Sequence, residues 1–461
     1  MSGDRSLAAA LADRHAGTVT ARALVEAALD RIAVADRDLN AFVRLDDRAA
    51  LEAADREDAG VPSPLAGVPL AHKDMFFRKG RVSTCGSRGF AERQASETAS
   101  VLARLDGAGA IDLGTLNMAE FAHNSTGHNA FLGAACNPWN PAHMTGGSSS
   151  GSGAAVAAGM VFAALGSDTG GSIRLPAHFC GVTGLKPTQG LVTRGGTMPL
   201  SFSLDTIGPL ARSAEDVAIV LEHLVGADTA DPTAEAVTGA RYRVATADPV
   251  EGRVVGIPDA FYFEDLSADV ARAVEATRGE LERLGVRVVD VRLPDQAPLV
   301  AGQLVLVASE ACSQHRDRLV ERPDDFEPMI RNRLVNGFGY TALDYLEALR
   351  SRGPALAAHL AATEGVDAIL APVAPFDAPT LAETDVGGDP GAEALTRSIS
   401  RFMRPANYIG TPAMAFPAGF SGRNLPVGLQ LIGRPFGEDV LFALVGALQR
   451  ATDHHRQRPP H

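Results

Sequence analysis

"MTGGSSSGSGAAVAAGMVFAALGSDTGGSIRLP", Met144–Pro176, is the stretch whose reading decides the fold. It holds the tetrapeptide TGGS twice, at Thr145–Ser148 and Thr169–Ser172. Between the copies lies the apolar run "AAVAAGMVFAALG", Ala154–Gly166, with serines on both sides. Rich in Ala and Gly and too short to cross a membrane, it predicts a buried helix running into a buried strand. The second TGGS then falls at the end of that strand. Upstream, Asn124 to Gly153 is rich in Gly, Ser, Asn and Pro, and a loop this long in a compact domain is usually functional.

Working outward, Leu24, Val25, Ala28, Leu29 and Ile32 form a stripe at helical period after Thr20, a plausible N-cap. "GVPLAHKDMF" predicts a strand ending near His72, which puts Lys73 at its carboxyl end. "FCGVTGLKPTQG" reads as a tightly turned segment backing the loop. "RVVGIP", "DVARAVEATRGELERLG" and "VRVVDVRLP" add a strand, helix and strand, and "PAMAFPAGF" with "LPVGLQLIG" adds closing strands before a final helix. This alternation predicts an α/β fold, a mixed central sheet covered by helices on both faces. The expectation is a single domain over 1–461. It divides into N-terminal helices at about 1–60, a core at about 65–225, a variable substrate-facing segment at about 295–370, and closing strands and helix at about 371–450.

Composition narrows the function. The 461 residues are 46% hydrophobic and 21% charged, the balance of a folded globular chain. A net charge of −13 without a Lys/Arg-rich run argues against direct nucleic-acid binding, which needs a clustered basic surface. No apolar run is long enough for a membrane span. The start lacks a basic region followed by an apolar one, so a cytoplasmic location is expected. Four widely spaced cysteines form no C-x-x-C pair, which favours reduced thiols over a zinc or redox site.

Three motifs compete for the chemistry. Gly147–Gly151 satisfies G-x-S-x-G with Ser149 at its centre, but that elbow needs a preceding strand and "NPWNPAHM" is poor strand material. The glycine-rich loop could instead cradle a phosphate with its amides, the reading of a non-enzymatic or nucleotide-binding module. The third candidate joins Lys73, between the apolar runs "GVPLA" and "MFF", to the two glycine-preceded serines. A serine hydroxyl attacks poorly unless a base takes its proton, and lysine serves as that base only when burial holds it neutral. A solvated surface charge is the bland reading of any single lysine. The conjunction is harder to obtain by accident.

The segment from Asn137 to Gly190, with "GGSSSGSGAAVAAG" and "LGSDTGGSIRLPAHFCGVTGLKPTQG", followed by "SLDTIGPLARSAED", closely resembles the amidase signature family. "GVPLAHKDMF" and "RPANYIGTPAMAFPAGF" resemble its flanking blocks. The resemblance implies amide hydrolysis without metal or organic cofactor. It makes Ser172 the acyl-forming nucleophile, Ser148 a bridging serine after a cis Gly147–Ser148 peptide, and Lys73 the base. The amides of Thr169, Gly170, Gly171 and Ser172 would form the oxyanion hole, with Asp168 and Gly147 in supporting roles. Arg174, Thr145 and Gly146 are candidate substrate contacts, and for Arg174 an ion pair anchoring the loop is the equal alternative. The run "NSTGHNAF", Asn124–Phe131, lacks the acidic residue of the tRNA-dependent amidotransferase A subunits. The expectation is therefore a free-standing enzyme, whose only partner is a small-molecule amide, with a homodimer left open. The alternative is the A subunit of a glutamine-dependent tRNA amidotransferase.

Overall fold

The computed structural model describes residues 5–237, 239–387 and 390–460. In chain order its strands are β1 (Phe42–Leu45), β2 (Pro69–Lys73), β3 (Ile111–Leu116), β4 (Cys136–Asn137), β5 (Asn140–Met144), β6 (Ala163–Asp168) and β7 (Thr183–Lys186). They continue with β8 (Thr206–Ala211), β9 (Val254–Pro258), β10 (Arg287–Val291), β11 (Ala368–Pro372), β12 (Ala413–Phe420) and β13 (Pro426–Gly433). Eleven of them make one sheet in the order β1-β3-β2-β6-β8-β7-β12-β13-β11-β9-β10, and β4 pairs with β5 alone. The sheet is mixed: β2 runs parallel to β3 and β6, while β6 and β8 are antiparallel.

Side chains alternate across this sheet with period two, as strand geometry requires. Ala163 and Leu165 of β6 join one apolar cluster with Val217, Leu221 and Phe442 from the helices Ala214–Glu222 and Glu438–Ala451. Ala164 between them joins a second with Val156, Leu175 and Phe179 from the helices Ser150–Ala157 and Arg174–Cys180. Helices therefore pack on both faces. The apolar run of the opening stretch divides as its composition implies, helix Ser150–Ala157 being buried throughout and β6 likewise.

Two local readings need correction. "NPAHM" does form a strand, β5, despite its proline. The hairpin is only two strands wide and Asn140–Ala142 are exposed, so Pro141 lies where a missing ladder donor costs little. "GVTGLK" is not merely a tight turn, for Thr183–Lys186 forms β7 inside the sheet. Its glycine hid a strand that is buried on all four residues.

At the N-terminal side, the helix Ala21–Leu39 starts where its cap residue predicts. Thr20 Oγ1 accepts from the Ala23 amide at 3.0 Å. Thr20→Ala is expected to lower stability by about 1 kcal/mol with an unchanged denaturant slope. Urea unfolding checks this, and an unaltered midpoint would contradict it.

Candidate active site

Strand register assembles the site. β2 and β6 are parallel neighbours with His72 level with Leu165, so Lys73 ends its strand near the carboxyl end of β6, where its amine meets Ser167. In open α/β sheets this carboxyl edge is where ligands bind. The Gly/Ser loop arrives over it from β5, and the Gly147–Ser148 peptide is cis.

Lys73 has no exposed surface. Its Nζ donates to Ser148 Oγ at 2.7 Å and to Ser167 Oγ at 2.9 Å, both neutral acceptors. Burial pushes the ammonium down to about 7, while the Asp205 and Asp168 carboxylates pull the other way. A large fraction of the amine is then neutral at neutral pH, which an exposed lysine never achieves.

Ser172 is 9% exposed, and its hydroxyl makes no hydrogen bond among the described residues. The expected contact between Ser148 and Ser172 is likewise not formed in this structure, so of the relay's two links only that to Lys73 is in place. Ser149, the centre of the G-x-S-x-G match, is locked: its Oγ donates to Ser167 O at 3.4 Å and accepts from Ser167 N at 3.3 Å.

The loop Thr169–Ser172 is held from beneath by Asp168. Its carboxylate accepts from the amides of Gly171 at 2.8 Å and Ile173 at 3.2 Å, and from Asn407 Nδ2 at 2.8 Å. Burial alone would raise this acid. The Arg174 guanidinium overrides burial and holds it well below the usual carboxylate range. The Gly171 amide is thus committed to Asp168, which corrects its expected place in the oxyanion hole. The amides of Thr169, Gly170 and Ser172 have no partner among the described residues and remain free to donate. Gly171 has φ +114°, and a methyl there would lie 2.5 Å from Met403 Cγ, so glycine is required.

The expected substrate contacts are also corrected. Arg174 is completely buried and spends every nitrogen on the protein: Nε on Asp168 at 3.0 Å, Nη1 on Gln430 at 2.9 Å, and Nη2 on Asn407 at 2.7 Å. It is the loop anchor. Thr145 is fully buried with its Oγ1 on the Gly146 carbonyl at 3.0 Å, and Gly146 is closed in by Phe179 and Leu175.

Residues that the sequence did not mark complete the surroundings. Ser167 shares the Lys73 amine. Asp205 accepts from Thr169 Oγ1 at 2.5 Å and, through its other oxygen, from the Leu200 and Ser201 amides. Burial pushes the Asp205 acid up to about 6 against those bonds. Gln303 Nε2 donates to the Thr169 carbonyl at 2.9 Å. Asp205 stands in "SLDTIGPLARSAED", part of the family resemblance, whereas nothing around Gln303 marks it. Among the described residues no group of three or more His, Cys, Asp or Glu side chains could hold a metal, and no helix is long and apolar enough to cross a membrane.

With this geometry, the family model described as Amidase matches residues 23–442. The chain belongs to that family. It is 38% identical to the A subunit of the glutamyl-tRNA(Gln) amidotransferase of Thiobacillus denitrificans, over 98% of each chain. Among solved structures it resembles an inhibitor-bound vestigial protein complex reported to reveal the origins of an s-triazine catabolic enzyme, with TM-score 0.89, 33% identity, and 97% and 98% of the two chains covered. It also resembles the peptide amidase of Stenotrophomonas maltophilia, with TM-score 0.84, 30% identity, and 99% and 98% covered.

These relatives correct the expectation about partners. A free-standing enzyme meeting only a small amide, alone or as a homodimer, conflicts with full-length relatives whose names make them parts of a larger enzyme and with a neighbour that is a protein complex. The acidic residue missing from Asn124–Phe131 does not decide the matter. A single short run tunes a loop, and surfaces that meet other chains carry no motif that one sequence reveals.

Asp168→Asn is expected to cost about 3–5 kcal/mol, because it leaves the Arg174 charge buried without its counter-ion. Chemical denaturation measures this. A loss below about 1 kcal/mol would contradict the anchoring role.

Proposed function

We propose that this chain is the amide-cleaving component of an amidotransferase-type assembly, working through an acyl-enzyme on Ser172. The observation that carries the chemistry is the fully buried Lys73 amine, 2.7 Å from Ser148. Ser172 Oγ attacks the carboxamide carbonyl carbon, and its proton passes through Ser148 to neutral Lys73. The free amides of Thr169, Gly170 and Ser172 stabilise the charge developing on the carbonyl oxygen, an effect worth about 10²–10³-fold per donor. Collapse of the tetrahedral intermediate breaks the C–N bond, and Lys73 returns the proton through Ser148 to the leaving amine. Water then cleaves the ester, giving the acid and free Ser172, while ammonia is available to a partner chain.

The full-length match to an amidotransferase component supports the assembly. So do Leu343 and Leu346, three apart on one face of the helix Ala342–Arg350 and 77% and 56% exposed, since apolar surface of this kind often meets another chain. A second reading, cleavage of a catabolic carboxamide within a complex, is favoured by the likeness to the s-triazine enzyme complex.

Ammonia release from glutamine and from simple carboxamides separates the two readings. Ser172→Ala is expected to lower release at least about 10³-fold, and retained turnover would remove Ser172 from its role. Lys73 acts neutral, so kcat/KM is expected to fall as pH drops below about 7, tenfold per unit, as the amine takes up its proton. A profile flat from pH 5 to 8 would contradict the base assignment.

A further inference from the structure

The chain carries a net charge of −13, yet the fold gathers arginines into one groove away from Ser172. β6 and β8 are antiparallel, with Asp168 opposite Thr206 and Ala163 opposite Ala211, so Arg212 leaves β8 a strand length, about 17 Å, from Asp168. The groove there has a volume of about 1040 Å³. Its arginines come from separate elements: Arg5 ahead of the helix Leu7–His15, Arg212 after β8, Arg243 on the helix Tyr242–Ala245, Arg450 in the last turn of Glu438–Ala451, and Arg456 and Arg458 in the tail behind it.

Carboxylates do not balance them. Glu215 and Asp216 are the acids among the described lining residues. Glu215 pairs with Arg243 at 3.2 Å, while Asp216 is fully buried and accepts from the Ala8 amide at 3.0 Å. Arg5 pairs with Asp13 at 3.1 Å, and Arg450 donates to the neutral Thr246 carbonyl. The exposed Arg456 side chain makes no hydrogen bond or ion pair among the described residues. Burial, then the Arg456 and Arg458 charges, push His455 down to about 4, and its Nδ1 is buried without a hydrogen-bond partner.

A narrower cleft continues from the groove and shares Arg5, Arg212 and Asp216 with it. Gly159 lines this cleft, and a Cβ placed there would lie 3.1 Å from Arg212 Nη2 and 3.5 Å from Arg31 Nη1. Two guanidiniums therefore share one corner. Arg31, on the helix Ala21–Leu39, forms no ion pair among the described residues, and its Nε is buried without a hydrogen-bond partner. Like charges this close repel and a buried donor left unmade is costly, so an anion between them offsets both.

The lining also says what kind of anion fits. A guanidinium fork matches phosphate oxygens two at a time, and forks spread along groove and cleft suit several linked charges better than one. Apart from His455, no aromatic side chain is among the described lining residues of the groove, so it offers neither a stacking platform for a nucleic-acid strand nor an anchor pocket for a peptide. We propose that groove and cleft bind a chain of linked phosphates, free or as the triphosphate of a nucleotide, with the exposed Arg450 and Arg456 at the outer end and Arg212 and Arg31 at the inner end. The assignment is independent of the chemistry at Ser172.

Calorimetric titration in magnesium-free buffer at fixed ionic strength tests it with inorganic tripolyphosphate, orthophosphate and ATP. Wild type is expected to bind tripolyphosphate with a dissociation constant below about 1 mM and at least about tenfold tighter than orthophosphate. The surface double variant Arg450→Gln/Arg456→Gln is expected to weaken tripolyphosphate at least about tenfold, and Arg31→Met, which keeps an apolar stem, about tenfold. A matching affinity for ATP supports recognition of the phosphates alone, and a tighter one supports a nucleotide as their source. Absence of tripolyphosphate binding overturns the proposal, as does binding that both variants leave unchanged. Tighter binding of a decaglutamate peptide or of a single-stranded oligonucleotide than of tripolyphosphate also overturns it, by making the groove a docking surface for a different class of molecule. Thermal unfolding without ligand gives a second reading. Arg31→Met is expected to melt no lower than wild type, since its buried Nε has no partner to lose, and a lower midpoint together with unchanged tripolyphosphate affinity would make Arg31 a structural residue and overturn the inner end of the site.

Discussion

Burial of one amine organises the site. Lys73 ends an interior strand with its Nζ between Ser148 and Ser167 and no exposed surface, and desolvation favours its neutral form. That condition requires the surrounding fold: parallel β2 and β6 in register, the Gly/Ser loop laid across their carboxyl ends, and helix Ser150–Ala157 sealing one face. Asp205 and Asp168 limit how far the shift goes, so the amine stays near the middle of its titration range at neutral pH. A base in that range both accepts and returns a proton, which the proposed acylation and amine departure each demand.

The second requirement is a rigid loop, and it is met with opposite electrostatics. Asp168 and Arg174 are both fully buried, and each is almost surrounded by partners. Such a pair adds little net stability, yet removing either member would leave an uncompensated charge. The pair therefore fixes where Ser172 and the free loop amides stand. Commitment of the Gly171 amide to Asp168 is part of that, one donor being given up to position three.

Much of this was legible in the sequence, for identifiable reasons. Thr20 capped its helix because capping is local. Lys73 fell at a strand end because its flanking apolar runs mark the strand, and the repeated TGGS announced two turns that need glycine. What stayed hidden depends on contacts across the chain. Ser167 resembled any strand serine until register set it beside Lys73. Gln303 lies far from both TGGS copies and meets the loop only in three dimensions. Arg174 misled because a lone arginine after a reactive serine looks the same whether it faces a substrate or the buried Asp168. The proposed assembly was least legible, since only the names of relatives matched over nearly their whole length point to it.

The central claim is that a neutral, buried Lys73 activates Ser172 through Ser148. Peptide mapping after labelling with a fluorophosphonate, with the rate followed across pH, tests it without any assumption about substrate. The account predicts one adduct, on Ser172, whose rate of formation rises with pH about a midpoint near 7 and collapses in Lys73→Met. Labelling of Ser149, or a rate on Ser172 indifferent to pH and to Lys73, would contradict it.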